Sequence, residues 1–302
     1  MKQLSLLFFA SFITISAFAF QAGTDSIHHW KSKYESAVGF TQTSLTNWAK
    51  GGENSLSIKA MMNIFEDYTQ GKFTWNNYLG AAYMVQKQQS FTHWRKADDK
   101  INVFTKAGLY AWKNWDYTGL LEFKSQFAKG YNYPNDSVYT SRFMSPGYFQ
   151  LAIGLSYKPV DYFSVLLSPV GARLTIVNDK SLSDAGAYGV EPGETSLLQA
   201  GASVNAIYKR DIVKNVNLMS KLDLFTDYSK HPENIINVWI VSWENNLLLR
   251  VNKFISVNVA TMLIYDDNIP YIDPKDELKE PQGARIQFME TLSVGFAYSF
   301  TR

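Results

Sequence analysis

Alternate residues from Ile286 to Thr301 sort into two unlike sets. Ile286, Phe288, Glu290, Leu292, Val294, Phe296, Tyr298 and Phe300 are apolar but for one Glu, whereas Gln287, Met289, Thr291, Ser293, Gly295, Ala297, Ser299 and Thr301 are small or polar. A period of two is the period of a strand with two different faces. An apolar face ending in aromatics, close to the chain end, is what the closing strand of a membrane β-barrel needs.

The same alternation recurs upstream. Leu56, Ile58, Ala60, Met62 and Ile64 oppose Ser57, Lys59, Met61, Asn63 and Phe65, and a return strand follows the turn at Gly71-Lys72. Tight links near 70, 114, 160, 213 and 252 alternate with longer ones near 93, 138, 185, 233 and 275. A soluble sandwich has no reason to sort its connections by parity, but short periplasmic turns and long extracellular loops do so. The expected fold is therefore all-β, a transmembrane antiparallel up-and-down β-barrel of about 12 strands. The alternation blurs from Phe163 to Val177, where Pro169 predicts a bulge or a change of facing. Gln88 to Asp99 reads as a polar loop, and Asp267 to Ala284 as the longest and most charged one. Trp75, Trp112, Trp115, Tyr117 and Tyr157 near the short turns, with Tyr83, Phe127, Tyr148 and Tyr228 near the long loops, predict two interfacial girdles.

The N-terminus carries Lys2, an uncharged apolar run from Leu4 to Phe20, and Ala17 and Ala19, the pattern of a signal peptide cleaved after Ala19. The organisation expected is a leader over 1–19, a short tail over 20–29 and the barrel over 30–302. Such a chain is exported to the cell outer membrane. With Cys 0, disulfides, thiolate metal sites and a lipidated cysteine are excluded. Mean hydropathy is -0.18, too low for a helical membrane bundle and suited to strands that show only half their residues to lipid. The net charge of +2 gives no support to nucleic-acid binding.

After the first strand comes Ser44-Leu45-Thr46-Asn47-Trp48-Ala49-Lys50-Gly51-Gly52-Glu53-Asn54. This stretch, in an exported cysteine-free chain, resembles an uncharacterised family of Bacteroidetes-type outer-membrane barrels known only as a domain of unknown function. The resemblance implies fold and location and brings no active residues with it.

Candidate functional residues are the charges on the inward faces. Turn register predicts Lys106 across from Glu122 or Lys124, and brings Lys221, Asp223 and Glu244 together. Such charges either screen a water-filled pore or fill a closed lumen with ion pairs. Trp48, Gly51 and Gly52 are a candidate loop contact, although a Gly pair between strands is first a turn. The acidic loop from Asp266 to Glu280 lacks the ligand spacing of a calcium site, so no metal and no cofactor is expected. There is no G-x-S-x-G, H-E-x-x-H or phosphate-cradling loop, and His93 and His231 are the sole sensible bases for a lipid-modifying enzyme at the outer rim.

These residues support three readings: a narrow channel for small polar solutes or ions, or a plugged barrel; an envelope scaffold binding a partner through its outer loops; and an outer-leaflet lipid-modifying enzyme. The partners expected are outer-membrane lipid, a small polar solute, and the barrel-assembly machinery meeting the last strand, whose terminal aromatic Phe300 lies two residues from the end.

Overall fold

A computed structural model of the chain closes twelve antiparallel strands into one barrel. The structure describes residues 29–44, 54–131, 133, 135, 137–228, 239–252, 255–272 and 281–301. The wall is built from β1 (Trp30–Thr43), β2 (Ser55–Gln70), β3 (Phe73–Gln88), β4 (Arg95–Trp112), β5 (Trp115–Ser125), β8 (Gly147–Val160), β9 (Phe163–Ile176), β10 (Ser196–Val213), β11 (Val216–Asp227), β12 (Ile240–Arg250), β13 (Ile255–Tyr265) and β16 (Gln287–Thr301). Each wall strand pairs with its neighbours in the chain, and β16 returns to pair with β1. Two small hairpins, β6 (Gly130–Tyr131) with β7 (Tyr139–Ser141) and β14 (Pro270–Ile272) with β15 (Pro281–Ala284), stand outside the wall.

Closure is explicit at Val294, which lies opposite Val257 on β13 and Phe40 on β1. Both edges of the last strand are thereby used, and no open ladder of amides remains there. Leu292, Val294 and Phe296 are 57%, 47% and 61% exposed, so they face outward, while Thr291 and Ser293 on either side of Leu292 are buried. The apolar set thus forms the outer surface of the wall and the polar set lines the bore, the inverse of a water-soluble barrel.

The connections sort by length as expected. Links 71–72, 113–114, 161–162, 214–215 and 251–254 lie at one end, and the longer 89–94, 126–146, 177–195, 228–239 and 266–286 at the other. Connection 44–54 joins the long-loop end, so the sorting starts one link earlier than the sequence pattern indicated. Asn114 and Asn215 take φ of 65° and 66° in their turns, the left-handed region that tight hairpins require and Asn tolerates.

Three local expectations need correcting or completing. Residues 95–99 continue β4 and are not loop, because Asp98 and Lys100 are inward-facing wall positions whose polarity suits a wet bore. Tyr148 sits at an inward position of β8, its ring 4.8 Å from the Arg173 guanidinium, and is no part of an outer girdle. The blurred segment is the full strand β9, with a register shift near Pro169 as expected. Ser168 Oγ fills that break: it accepts from the Ile153 amide at 2.9 Å and donates to the Val170 carbonyl at 2.7 Å. The leader and the tail up to residue 28 lie outside the described residues.

The long-loop end carries an ordered cap. Asp179 caps α1 (Lys180–Asp184), its Oδ1 accepting from the Ser181 and Leu182 amides at 3.0 and 3.2 Å. Its Oδ2 accepts from the Tyr139 hydroxyl at 2.8 Å and from Arg142 at 2.9 Å, which ties β7 to α1. Beneath these bonds Val177, Leu182 and Val190 pack with Tyr139, Tyr188 and Leu197 as a small apolar core.

Candidate functional site in the lumen

The bore is filled unequally around its circumference. Leu120, Ala152 and Leu166 are buried against Phe104 on one side, and Tyr78 stacks on Phe104 at 5.1 Å. On the other side the inward positions of β1, β13 and β16 hold Ala37, Gly39, Ser256, Ser293, Gly295 and Ala297. Large side chains therefore close one half of the section and small ones leave the other half less filled.

Charges join the two halves at mid-height. Lys221 Nζ meets Glu122 Oε1 at 2.5 Å and Asp223 Oδ2 at 3.0 Å. Lys124 Nζ meets the same Asp223 oxygen at 2.9 Å and Glu122 Oε2 at 3.4 Å, and Asn205 donates to Asp223 Oδ1 at 2.9 Å. Two cations and two carboxylates from β5 and β11 make a closed set. Lys100 on β4 then reaches Glu244 on β12 at 2.8 Å, and these two strands stand opposite each other in the ring. A further crossing lies nearer the short turns, where the Lys209 ammonium sits 3.5 Å from the Phe65 ring centroid. The charged groups in these contacts persist because each has a partner of opposite sign or a ring face; stripping one partner would strand the other.

Above this waist, towards the long loops, lies a cavity of about 340 Å³ reached by Asp98, Lys100, Lys124, Tyr148, Arg173 and Glu244. Arg173 pairs with Asp266 at 2.8 Å, so this acidic-loop residue serves the cavity. Below it, cavities of about 90 and 40 Å³ continue along the small-residue side, lined by Met61, Asn63, Asn246 and Asn258. Lys100 and Glu244 line both the upper cavity and the next one down.

Four of the six candidate charges thus form one closed set, Glu122, Lys124, Lys221 and Asp223, and a fifth, Glu244, pairs separately with Lys100. Lys221 and Glu244 are also directly opposite in register, as the turn arithmetic implies. Lys106 is the exception. It lies opposite Leu120, not Glu122 or Lys124: counting from the Trp112–Trp115 pair at the turn gives Leu121, and the shift between Tyr110 and Trp112 moves the partner one residue further, to Leu120. It is buried, and among the described residues no carboxylate comes within ion-pair distance of it. Lys100 and Asp98 were missed by treating 95–99 as loop; the signal that would have found them is the Lys100, Asn102, Lys106 alternation on β4. Trp48, Gly51, Gly52 and His231 lie outside the described residues, as do Asp273, Asp276, Glu277 and Glu280, while His93 is exposed in link 89–94.

Residues 40–131 match the model of a family described as a protein of unknown function (DUF3078). The likeness to an uncharacterised family holds over that segment. It includes the Asn47-Trp48 to Asn54 stretch and runs through β2, β3, β4 and β5. No curated protein matches the chain. Among solved structures, the translocator domain of the autotransporter NalP from Neisseria meningitidis aligns with a TM-score of 0.35 and 11% identity, covering 98% of this chain and 96% of that one. An outer membrane channel from Pseudomonas putida F1 aligns with a TM-score of 0.37 and 7% identity over 92% of this chain and 100% of that one. OmpF of Salmonella typhi, in complex with daunomycin, aligns with a TM-score of 0.27 and 9% identity over 89% and 97%.

Proposed function

We propose that the protein sits in the outer membrane as a narrow channel for ions and small polar solutes, held shut at its waist by ion pairs between opposite walls. The observation that carries this reading is the line of cavities of about 340, 90 and 40 Å³ along the small-residue side, with Lys100 and Glu244 between the first two. A barrel built only as a plug would have no use for amides at Asn63, Asn246 and Asn258 lining a path on one side. In this reading the long loops face outward, the short turns face the periplasm, and the cap around Asp179 shapes the outer entrance. Assembly machinery would engage β16 before the strand pairs with β1.

Proteoliposome swelling tests it. Wild-type vesicles should swell slowly in small polar solutes, and Glu244→Ala vesicles severalfold faster, with the gain confined to the smallest solutes. Equal swelling by wild type, variant and empty vesicles would remove the channel and leave a plugged barrel.

A second reading, a scaffold that holds a partner at the cell surface, is supported by the ordered cap, whose fixed shape is more than a plain connection between strands needs. Crosslinking in intact cells, with and without residues 177–195, separates the two readings.

A further inference from the structure

The outward face of the wall is mostly apolar, broken by two rows of polar register partners: Ser220, Asn245, Thr261 and Glu290 on β11, β12, β13 and β16, and a second row on β1 to β4. Ser32, Glu66, Asn77 and Thr105 are register partners on β1, β2, β3 and β4. Their strand neighbours on the same face, Met62, Trp75 and Leu109, are exposed apolar side chains, which fixes the row as outward-facing. Two residues closer to the short-turn end, each of the first three strands carries an aromatic: Trp30, Tyr68 and Trp75, with Trp30 5.0 Å from Tyr68 and 5.7 Å from Trp75. The polar row therefore lies on the acyl-chain side of the aromatic belt, where a lipid-facing charge is costly.

Donors converge on Glu66. Tyr34 donates to Oε1 at 2.6 Å, and Ser32 donates to Oε2. Next to it, Trp75 Nε1 donates to Thr105 Oγ1 at 2.7 Å, and Thr105 donates to Asn77 Oδ1 at 2.8 Å. Hydroxyls satisfy part of the carboxylate, but among the described residues no Lys, Arg or His pairs with it. Directly beyond the row, a groove of about 270 Å³ is lined by Ile64, Leu79, Val103, Leu121, Phe123 and Phe149. One site thus joins an uncompensated carboxylate to an apolar trough.

We propose that this site seats one phospholipid whose headgroup ends in a primary ammonium, of the phosphatidylethanolamine class. The ammonium, with three donors, meets the Glu66 carboxylate and completes its charge, and an acyl chain lies in the groove over Val103 and Leu121. An anionic headgroup would be repelled, and a quaternary one has no N–H to give. The inference rests on the membrane-barrel reading, because it needs this wall to face lipid.

The test folds the full chain into nanodiscs holding phosphatidylethanolamine, phosphatidylglycerol and phosphatidylcholine in equal parts, then extracts it gently for native mass spectrometry. Wild type should keep one phosphatidylethanolamine, favoured about ten-fold over either other lipid. Glu66→Gln should erase that preference, and Val103→Trp should remove the bound lipid, both with wild-type heat-modifiable migration. Retention without headgroup preference, no retention, a preference that survives Glu66→Gln, or a second copy of the chain in place of lipid would each overturn the proposal. A chain that fails to enter the nanodiscs at all would overturn the membrane reading with it, whereas insertion without preference defeats this inference alone.

Discussion

Lys100 and Glu244, 144 residues apart in the chain, are joined at 2.8 Å across the bore from opposite strands of the ring. Lys100 has nearly half its side chain exposed, and Glu244 about a fifth. The pair is therefore wetter than the Glu122–Lys221 pair, whose side chains are 2% and 9% exposed. Wet pairs exchange partners readily and dry ones do not. The first suits a contact that opens; the second suits one that holds the wall.

Breaking the dry pair should show in stability. Glu122→Ala leaves Lys221 with Asp223 alone and should cost about 3–5 kcal/mol in urea unfolding from micelles. Lys100→Ala should cost less than about 1 kcal/mol. Equal costs would mean that the two pairs do not differ in solvation.

Lys106 should behave oppositely. It is buried with no ion-pair partner among the described residues, so Lys106→Met keeps the volume and removes a desolvated charge. The same urea titration should find the variant as stable as wild type or more stable by about 1 kcal/mol. A marked loss would mean that the ammonium is satisfied in a way that this arrangement does not account for.

The cap should respond to acid. Burial pushes the Asp179 carboxyl up, but hydrogen bonds from Tyr139, Arg142 and the Leu182 and Ser181 amides outweigh it and hold the group below the usual carboxylate range. A carboxylate lowered on folding adds its full share of stability above its unfolded pKa of about 3.9; that share is lost as pH falls through the lower folded value. Hydrogen exchange at residues 177–195 should be slow at neutral pH in wild type and faster in Asp179→Ala. The difference should shrink in strong acid. An undiminished difference there would show that the charge plays no part in ordering the cap.

The outward face of the closing strand makes a separate claim. Val294→Arg places a cation on the lipid side of β16 and should cost about 2–4 kcal/mol if the site is near the membrane midplane. Ser293→Arg points into the bore and should insert with a smaller penalty. Refolding yields into vesicles compare the two directly.

The fold could be read from the chain because one physical demand, lipid outside and polar groups inside, is imposed at every second residue. That demand sets Leu292 and Val294 outward and Ser293 inward without reference to any distant segment. The site was legible only in part, for the same reason. Alternation says that Lys100 and Glu244 point inward, but nothing local says that their strands stand opposite each other once twelve have closed. The expected partner of Lys106 failed on the count itself, since the Trp112–Trp115 pair leads to Leu121, and the shift between Tyr110 and Trp112 then sets Lys106 opposite Leu120. Glu66, Asn77 and Thr105 break the apolar face at positions where the alternation around them is otherwise regular, and three polar residues on separate strands form one row only after β2, β3 and β4 pair.

The central claim is that ion pairs across the bore, and not a solid core, keep the passage shut. Single-channel recording in planar bilayers of wild type beside the Lys100→Ala, Glu244→Ala double variant tests it most directly. Wild type should give rare, small conductance steps, and the double variant frequent or sustained openings with altered ion preference. Two equally silent bilayers, with both proteins inserted, would contradict the account.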